Sequence, residues 1–386
     1  MSFSIHSYLS EIKEKISVHG EDWDIYKKYT NPYENICGRT FKMSICKYKP
    51  ISRAYFKMLE IINTFNLLGT NDKWTKAKMP QPNIRMFGIA EGPGGFIEAI
   101  LNYRMRTCKT NKDEYYGMTI EDATNDDVPG WRKTRAFLKN NENIVLEKGS
   151  DGTGNILSLA NFRHVIGKYR NTMDIITGDG GFDFSADFNS QELSIHELLF
   201  AQVAYAVCMQ KLGGSFVLKI FDCFHKPTAD ILYILTSFYE KVHIIKPNTS
   251  RYANSEKYVV CTGFRFGNNA PYYSIFERTL EKMLSRDPNT CISGFLKKSH
   301  IPLFLYSKIE ECNSIIGQSQ IDNIHNTLLL INNKYRNEKI DNYLRNHAHK
   351  CVNWCIKHGM EYNAPFFADS DKSDEPVANI FIRANP

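Results

Sequence analysis

Hydrophobic and polar positions follow two alternating periods through the middle of the chain, from about residue 83 to residue 266. Short apolar runs bounded by glycine or acidic residues predict buried strands, and segments with apolar residues three or four apart predict helices. The strands are predicted at 86–90, 115–120, 144–146, 173–177, 215–221, 242–245 and 258–266, and the helices at 96–101, 191–211 and 229–238. This alternation is typical of an α/β fold whose mostly parallel sheet is covered by helices on both faces.

The pattern changes on both sides of this segment and divides the chain into three regions. Residues 1–75 look helical and basic, residues 76–267 carry the alternation, and residues 268–386 look helical again. Helices in the outer regions are predicted at 22–29, 52–67, 272–284, 303–317, 322–334 and 340–358. The tail after residue 364 mixes Pro, Asp and Ser and is expected to be partly irregular.

The segment RMFGIAEGPGGF, residues 85–96, combines a strand, a glycine-rich turn and the start of a helix. Such a turn at the carboxyl end of the first strand of an α/β sheet is where nucleotide-like ligands bind. Its glycines lack a Cβ and let a ligand approach the backbone closely. The turn matches neither GxGxxG nor GxxxxGK[ST], which disfavours a dinucleotide and excludes a P-loop. A tight connection without a ligand is the alternative.

Acidic residues follow the first three predicted strands, namely Glu91, Glu121 with Asp122, and Asp151. The carboxyl ends of parallel strands meet at one edge of a sheet, where such open sheets bind their ligands. Each acid alone could be a solvated loop residue. Together with the glycine-rich turn, they favour a ligand that has a ribose or a positively charged end.

Two lysines lie in apolar surroundings, where an unpaired ammonium group is costly. Lys219 lies inside the predicted strand SFVLKIF, and Lys57 lies among apolar residues of a predicted helix. Asp179 closes the fourth predicted strand, and Glu256 stands at the entrance of the last one. For Lys57, a head group that extends to solvent is the alternative to a functional pairing.

The amino-acid composition and net charge limit the classes of protein to which the chain can belong. Among the 386 residues, 42% are hydrophobic and 23% are charged, and the net charge of +6 permits an RNA partner without requiring one. No apolar run reaches the roughly 18–20 residues of a membrane span. Charged residues in MSFSIHSYLSEIKEK disfavour a signal peptide. We therefore expect an intracellular protein without a membrane partner.

The ten cysteines form neither a CxxC pair nor a spacing typical of zinc fingers. Cys351, Cys355 and His358 are close in sequence, but on a helix they would be neighbours rather than a ligand set. We therefore expect reduced, mostly buried thiols and no metal site.

Several motifs together resemble the FtsJ-type RNA 2′-O-methyltransferases, and most closely the cap-specific mRNA (nucleoside-2′-O-)-methyltransferases of eukaryotes and large DNA viruses. The resemblance covers roughly residues 27–266, and its last motif is the most cap-specific. It implies a Rossmann-like methyltransferase sheet over residues 76–267 and an RNA-binding role for residues 1–75. The motifs are NPYE (31–34), SRAYFKM (52–58), GPGGF (92–96), GMTI (117–120), DGTGNI (151–156), DGGF (179–182), GGSFVLKIFD (213–222) and KPNTSRYANSEKYVVCTG (246–263).

The resemblance implies a catalytic tetrad of Lys57, Asp179, Lys219 and Glu256 that moves a methyl group from S-adenosyl-L-methionine to a ribose 2′-hydroxyl. The methyl group of a sulfonium is already activated, so alignment and proton removal are the main requirements. Lys219 is the predicted base, and the charge of Lys57 would favour its neutral, proton-accepting form. The two carboxylates would hold the lysines and balance their charge.

The same resemblance assigns the contacts of the cofactor, S-adenosyl-L-methionine. Its ribose is expected near Glu121 and its adenine near Asp151 and Gly152. Related methyltransferases begin the first turn with Asp or Cys where this chain has Glu91, so the role of Glu91 stays open. The contacts expected at the methionine end are Ser52, also a candidate helix N-cap, Glu91, Gly92, Pro93, Gly94, Gly95 and Phe96.

The resemblance also implies contacts with a capped RNA. Basic residues would hold phosphates, although a pair of lysines on a helix could equally form a solvated face. The residues concerned are Lys27 and Lys28 near the cap phosphates, Asn189, Ser190 and Gln191 after the DGGF turn, and Arg251 and Asn254 before Glu256.

The implied function is methylation of the first transcribed nucleotide of capped mRNA, which converts cap 0 into cap 1. The capped 5′ end is the expected partner, with other capping enzymes or RNA polymerase as further partners. An FtsJ-type enzyme acting on ribosomal or transfer RNA and a non-catalytic RNA-binding subunit are the alternatives. The absence of a clear basic targeting cluster favours the cytoplasm, as in a viral factory or virion, over the nucleus.

Overall fold

The structure of the protein is a computed structural model. It describes residues 1–38, 44–69, 83–108, 112–121, 130–182, 189–287, 290–296, 301–333 and 336–363. The tail predicted to be irregular lies outside these residues. Within them, no helix combines the length and the apolar character that a membrane span requires.

Seven strands form one sheet at the centre of the fold. They are β1 Arg85–Ile89, β2 Glu114–Met118, β3 Ile144–Leu146, β4 Met173–Gly178, β5 Gln210–Ile220, β6 Tyr239–Ile245 and β7 Lys257–Phe264. Their order is β3-β2-β1-β4-β5-β7-β6, and the first five strands of this order run parallel, whereas β7 is antiparallel to β5 and β6. The predicted α/β fold with a mostly parallel sheet is confirmed.

Helices cover both faces of this sheet and extend beyond it. In the described part of the chain they are α1 Phe3–Ser17, α2 Gly20–Tyr29, α3 Ala54–Phe65, α4 Gly95–Thr107, α5 Arg135–Asn140, α6 Leu159–Tyr169, α7 Gln191–Ser194, α8 His196–Met209, α9 Lys226–Phe238, α10 Ala270–Leu284, α11 Leu303–Asn332 and α12 Arg336–Lys357. One apolar core holds α3, α4 and α12 against the sheet, and another holds α6, α8, α9 and α10. A third apolar cluster joins α1, α2 and α11.

Several predicted helix boundaries are wrong. The predicted helix 191–211 is interrupted at Ile195, and Gln210 begins β5 because its side-chain amide donates to the carbonyl oxygens of Met173 and Asp174 on β4. The predicted helices 303–317 and 322–334 are the single helix α11. Residues 318–321 contain no glycine or proline, and Ile321 belongs to the apolar cluster that joins α11 to α1 and α2.

The start of α3 also differs from the prediction. Arg53 rather than Ser52 occupies the N-cap position, and it makes no side-chain capping bond. The hydroxyl of Ser52 is therefore not used by the helix. The division of the chain into three regions remains a prediction.

A buried ion pair joins α4 to the start of β2. Arg104 donates from Nε and Nη2 to the two carboxylate oxygens of Asp113, each at 2.8 Å. The two side chains are 1% and 0% exposed. Asp113 also accepts a bond from the backbone N–H of Ile84 at 2.8 Å, so this pair fixes the beginning of β1.

We expect Arg104→Met to lower the free energy of unfolding by about 3–5 kcal/mol, because Asp113 would keep a buried charge without its partner. Urea unfolding measures this loss. Arg106→Met, at an exposed position of the same helix, is the control and should cost less than about 1 kcal/mol. Equal losses in the two variants would contradict the assignment.

Candidate active site

The glycine-rich turn brings the backbone between β1 and α4 close to neighbouring segments. Gly94 has a φ of +100°, a conformation that favours glycine, at the cap position before α4. A Cβ at Gly92 would lie 2.7 Å from the Gly130 carbonyl oxygen, and a Cβ at Gly95 would lie 2.3 Å from Ser52 Oγ. Ser52 Oγ is buried and has no hydrogen-bond partner among the residues that the structure describes. The turn is thus packed closely against the segments of Ser52 and Gly130, and an unsatisfied hydroxyl lies beside the start of α4.

Glu91 lies beneath this turn and is 2% exposed. Its Oε1 accepts a bond from the backbone N–H of Ile97 at 2.7 Å, and its Oε2 accepts a bond from the Thr177 hydroxyl at 2.6 Å. Burial raises the pKa of Glu91 to about 8, and the nearby charge of Asp179 adds to this effect. The carboxyl group supports the turn, and its direct contact with a cofactor remains a prediction.

The turns after β2 and β3 meet beside the glycine-rich turn. Gly154 has a φ of +66°, and a Cβ there would lie 2.0 Å from the Thr119 carbonyl oxygen. Both residues line a cavity, together with residues 155–157. The third turn therefore faces this cavity through Gly154 and the residues after it.

The acids predicted for the ribose and the adenine have other partners. Glu121 pairs with Lys148 at 2.8 Å. Asp151 accepts bonds from the backbone and hydroxyl of Thr153, at 2.9 and 2.7 Å, and these hydrogen bonds lower the pKa of Asp151 to about 2. Asp151 and Gly152 are exposed. Contacts of these residues with a cofactor remain predictions.

Two lysine–carboxylate pairs lie near the carboxyl ends of β4 and β5. Lys219 Nζ lies 3.2 Å from Asp179 Oδ1 and donates to the Asp179 carbonyl oxygen at 2.6 Å. Lys57 Nζ lies 2.7 and 2.9 Å from the two carboxylate oxygens of Glu256. The four side chains are between 12% and 18% exposed. The structure thus brings together the four residues that the family resemblance implied as a tetrad.

Neighbouring charges determine the ionisation of Glu256. Burial alone would raise the pKa of Glu256, but the ammonium groups of Lys57 and Lys219 lower it to about 2. Tyr258, opposite Lys219 across the β5–β7 pairing, donates its hydroxyl to Asp179 Oδ1 at 3.2 Å. Burial, together with the charges of Asp179 and Glu256, raises the pKa of Tyr258 well above its ordinary value. Tyr258 therefore stays protonated as a hydrogen-bond donor.

The loop 246–256 leads to Glu256 and is held by buried polar groups. Lys246 Nζ donates to the carbonyl oxygens of Asn254 at 2.6 Å and of Glu256 at 2.8 Å. Burial lowers the pKa of Lys246 to about 7. The hydroxyl of Ser250 donates to Glu256 Oε1 at 2.9 Å. Residues of the same loop therefore hold both parts of Glu256: Lys246 binds its carbonyl oxygen, and Ser250 binds its carboxylate.

A second buried charge cluster lies behind this loop. Lys13 of α1 and Lys257 both pair with Asp222, at 2.9 and 3.2 Å. These two lysines hold the pKa of Asp222 well below its ordinary value despite its burial. Lys13 and the hydroxyl of Ser255 are joined by a 3.0 Å hydrogen bond, and Ser255 donates to Asp222 at 2.8 Å. The cluster ties α1 to the residue that precedes Glu256.

A cavity of about 1340 Å³ connects these features. It extends from Gly92 past Lys219 and Glu256 to the helices α1, α2 and α11. Pockets for small molecules typically measure about 300–1,000 Å³. This cavity therefore has room for a cofactor together with part of a larger substrate.

The residues predicted to bind RNA lie in and around this cavity. Lys27, Gln191, Arg251 and Asn254 line it. Lys27 pairs with Asp24 on α2, and Asn254 accepts bonds from Lys246. Lys28 follows Lys27 on α2, Asn189 donates to the Ser10 carbonyl oxygen at 3.4 Å, and Ser190 precedes α7. Their contacts with RNA remain predictions.

The motifs NPYE and KPNTSRYANSE are joined directly. Arg251 donates from Nη2 and Nε to the two carboxylate oxygens of Glu34, at 2.7 and 3.0 Å. Such a bidentate pair is strong and geometrically specific. The two motifs thus form one wall of the cavity, although more than 200 residues separate them in sequence.

Sequence reasoning missed the residues that enclose the cavity outside the sheet. They are Lys13 of α1, Trp23 of α2, and Gln320 and Asn323 of α11. Lys13 could have been recognised from the sequence, because it lies on the buried side of α1 beside Ile12 and Ile16. Gln320 and Asn323 could not have been recognised, because the sequence of α11 contains none of the motifs described above.

Comparison with known proteins places these residues in a family context. A model of the FtsJ-like methyltransferase family matches residues 50–264, which include all four members of the tetrad. Cap-specific mRNA (nucleoside-2′-O-)-methyltransferase 2 of Drosophila melanogaster is 24% identical over 361 residues, covering 89% of this chain and 47% of that protein.

Two further relatives carry the name cap-specific mRNA (nucleoside-2′-O-)-methyltransferase 1. The protein of Danio rerio is 31% identical over 263 residues, which cover 66% of this chain and 30% of that protein. The protein of Trypanosoma cruzi is 33% identical over 195 residues, with coverages of 49% and 50%. The chain therefore spans half or less of the length of each of these relatives.

The raised pKa of Glu91 predicts how stability depends on pH. The folded protein favours the protonated carboxyl group, whose ordinary pKa of 4.5 rises to about 8. The resulting stabilisation is complete below about pH 4.5 and is lost as the pH rises to about 8.

We expect Glu91→Gln to remove this loss, because an amide is neutral at every pH. Between pH 5 and pH 8, the wild type should lose about 3–5 kcal/mol more unfolding free energy than the variant does. Urea unfolding at the two pH values provides the measurement. Parallel pH dependences of the two proteins would show that Glu91 is not protonated in the fold.

Proposed function

The chain belongs to the FtsJ-like methyltransferase family, and we propose that it methylates the ribose 2′-hydroxyl of the first transcribed nucleotide of capped mRNA. Membership implies S-adenosyl-L-methionine as the methyl donor. The observation that carries the proposal is that Asp179, Lys219 and Glu256 line a cavity that reaches the glycine-rich turn, while Lys57 pairs with Glu256. The names of the relatives support a capped substrate.

The cavity's inner end suits S-adenosyl-L-methionine. At the glycine-rich turn, which the cavity reaches at Gly92, Ser52 Oγ is buried and lacks a partner among the described residues. A hydroxyl beside the start of α4 fits the carboxylate of the methionine moiety, because a helix N-terminus favours negative charge. Thr119 and Gly154 would hold the nucleoside end. The bound cofactor supplies an activated methyl group.

The tetrad supplies alignment and proton removal. A neutral ribose hydroxyl is a poor nucleophile, so a base within hydrogen-bond reach contributes to the rate. Lys219 borders the cavity and is oriented by both the carboxylate and the carbonyl oxygen of Asp179. In its neutral form, Lys219 would accept the hydroxyl proton. Lys57, held by both oxygens of Glu256, would position the hydroxyl.

The outer end of the cavity suits a capped 5′ end. Lys27 and Arg251 line it and would contact phosphates, and Gln191 and Asn254 offer amide groups to the cap or the first nucleotides. The ten free cysteines fit a reducing compartment. We propose the cytoplasm, as in a viral factory or virion, with the nucleus as the alternative. Other capping enzymes or RNA polymerase are the proposed partners.

We expect methyl transfer from labelled S-adenosyl-L-methionine to the first nucleotide of a short RNA with an N7-methylguanosine cap, and none to the same RNA with a 5′ triphosphate. Lys219→Ala should lower kcat by at least about 100-fold, because the base is lost. Lys211→Ala, at the other end of β5 and exposed to solvent, is the control and should keep full activity.

Other outcomes would contradict the proposal in distinct ways. Equal labelling of capped and uncapped RNA would favour an enzyme that acts on ribosomal or transfer RNA. Full activity of Lys219→Ala would exclude Lys219 as the base. Binding of cofactor and capped RNA without transfer would favour a non-catalytic subunit.

A further inference from the structure

The C-terminal helices contact the loop 246–256 that ends at Glu256. We propose that α11 and α12 hold this loop at both ends and thereby position Glu256, and through it Lys57, for methyl transfer. Gln320 on α11 and Trp354 on α12 are the positioning residues. This inference rests on the proposed function and gives the C-terminal region a role in that reaction.

Gln320 holds the end of the loop next to Glu256. Its Nε2 donates to the carbonyl oxygen of Ala253 at 3.0 Å and lies 3.3 Å from the hydroxyl of Ser255. Gln320 and Ser255 are each only 1% exposed. Buried bonds of this kind are costly to break, because water cannot replace the missing partner. Gln320 therefore holds the backbone at Ala253 and the side chain of Ser255, the residue that precedes Glu256.

Glu60 holds the other end of the loop and lies one turn after Lys57 on α3. Its Oε1 accepts bonds from the backbone and side-chain nitrogens of Asn248, at 2.9 and 2.7 Å. Its Oε2 lies 3.3 Å from both the backbone nitrogen and the hydroxyl of Thr249. Glu60 thus couples the helix that carries Lys57 to the loop that carries Glu256.

Trp354 of α12 completes the set of donors around Glu60. Its indole Nε1 donates to Glu60 Oε2 at 3.1 Å, and its ring packs edge-on against Phe56, the neighbour of Lys57, with centroids 5.7 Å apart. Trp354 and Glu60 are each 4% exposed. A buried carboxylate needs several donors to stay in place. The indole N–H is therefore part of what orients Glu60.

The same helices also fix the NPYE segment, which Arg251 joins to the loop. Asn323 of α11 donates to the Thr30 carbonyl oxygen at 3.0 Å, and the hydroxyls of Thr30 and Thr327 are 2.7 Å apart. Cys351 of α12 lies 3.5 Å from the Pro32 carbonyl oxygen. The loop is thus held at both ends and through its Arg251–Glu34 contact by elements that α11 and α12 support.

Hydrogen exchange tests the positioning independently of activity. We expect Gln320→Leu, which keeps the side-chain volume but removes the donors, to raise amide exchange in residues 250–256 by at least about 10-fold. Exchange in β1 and β4 should not change. Gln318→Leu, at an exposed position of the same helix, is the matched control and should leave the loop unchanged.

Steady-state kinetics test its consequence for the reaction. Gln320→Leu and Trp354→Phe should each lower kcat by about 10- to 100-fold, because small displacements of catalytic groups are costly. The KM values for S-adenosyl-L-methionine and for capped RNA should change less than about two-fold. Trp354→Phe keeps the ring contact with Phe56 and removes only the donor.

A double-mutant cycle identifies the route through Glu60. In a Glu60→Gln background, Trp354→Phe should have little further effect on kcat, because the charge that the indole orients is already gone. Fully additive effects would overturn this route.

Unchanged exchange and unchanged kcat in Gln320→Leu would overturn the inference as a whole. So would a raised KM for RNA with unchanged exchange, because Gln320 would then act by touching RNA. If the wild type did not methylate capped RNA, the proposed function would fail, while the exchange experiment would still decide whether the helices hold the loop.

Discussion

Burial of lysine beside an apolar sheet is the constraint on which this site depends. A lysine head group withdrawn from water is costly to bury unless a carboxylate and hydrogen-bond acceptors replace the water around it. Asp179 provides these groups for Lys219, and Glu256 provides them for Lys57. Each partner comes from a different part of the chain, so the tetrad can form only when the sheet, α3 and the loop before β7 have assembled.

Because β7 runs antiparallel to β5, the loop before β7 lies at the edge of the sheet where the parallel strands β4 and β5 end. Strand β7 pairs with β5 so that Tyr258 faces Lys219, and the loop before it returns Glu256 to this edge. The glycine-rich turn opens at the same edge, after β1. Cofactor chemistry and proton removal therefore share one cavity, while α1, α2 and α11 close its outer side.

The sequence was sufficient to predict the sheet and the glycine-rich turn, because each leaves a local mark, whereas the four tetrad residues were grouped by the family resemblance. Lys219 stands out in an apolar strand, and Gly92 to Gly95 interrupt two apolar runs. It was insufficient for groups whose role depends on tertiary contacts. Glu91 accepts a bond from Thr177 of β4, Glu60 accepts one from Trp354 of α12, and Gln320 reaches Ala253 across 67 residues of sequence. None of these partners can be inferred from spacing along one chain.

The central claim is that the ribose 2′-hydroxyl meets the cofactor between the two lysine–carboxylate pairs. A crystal structure of the protein with S-adenosyl-L-homocysteine and a short capped RNA tests it most directly. We expect the 2′-oxygen of the first nucleotide within about 3 Å of Lys219 Nζ, at hydrogen-bond distance, with the cap in the outer part of the cavity. A 2′-oxygen bound away from Lys219, or a cap outside the cavity, would contradict it.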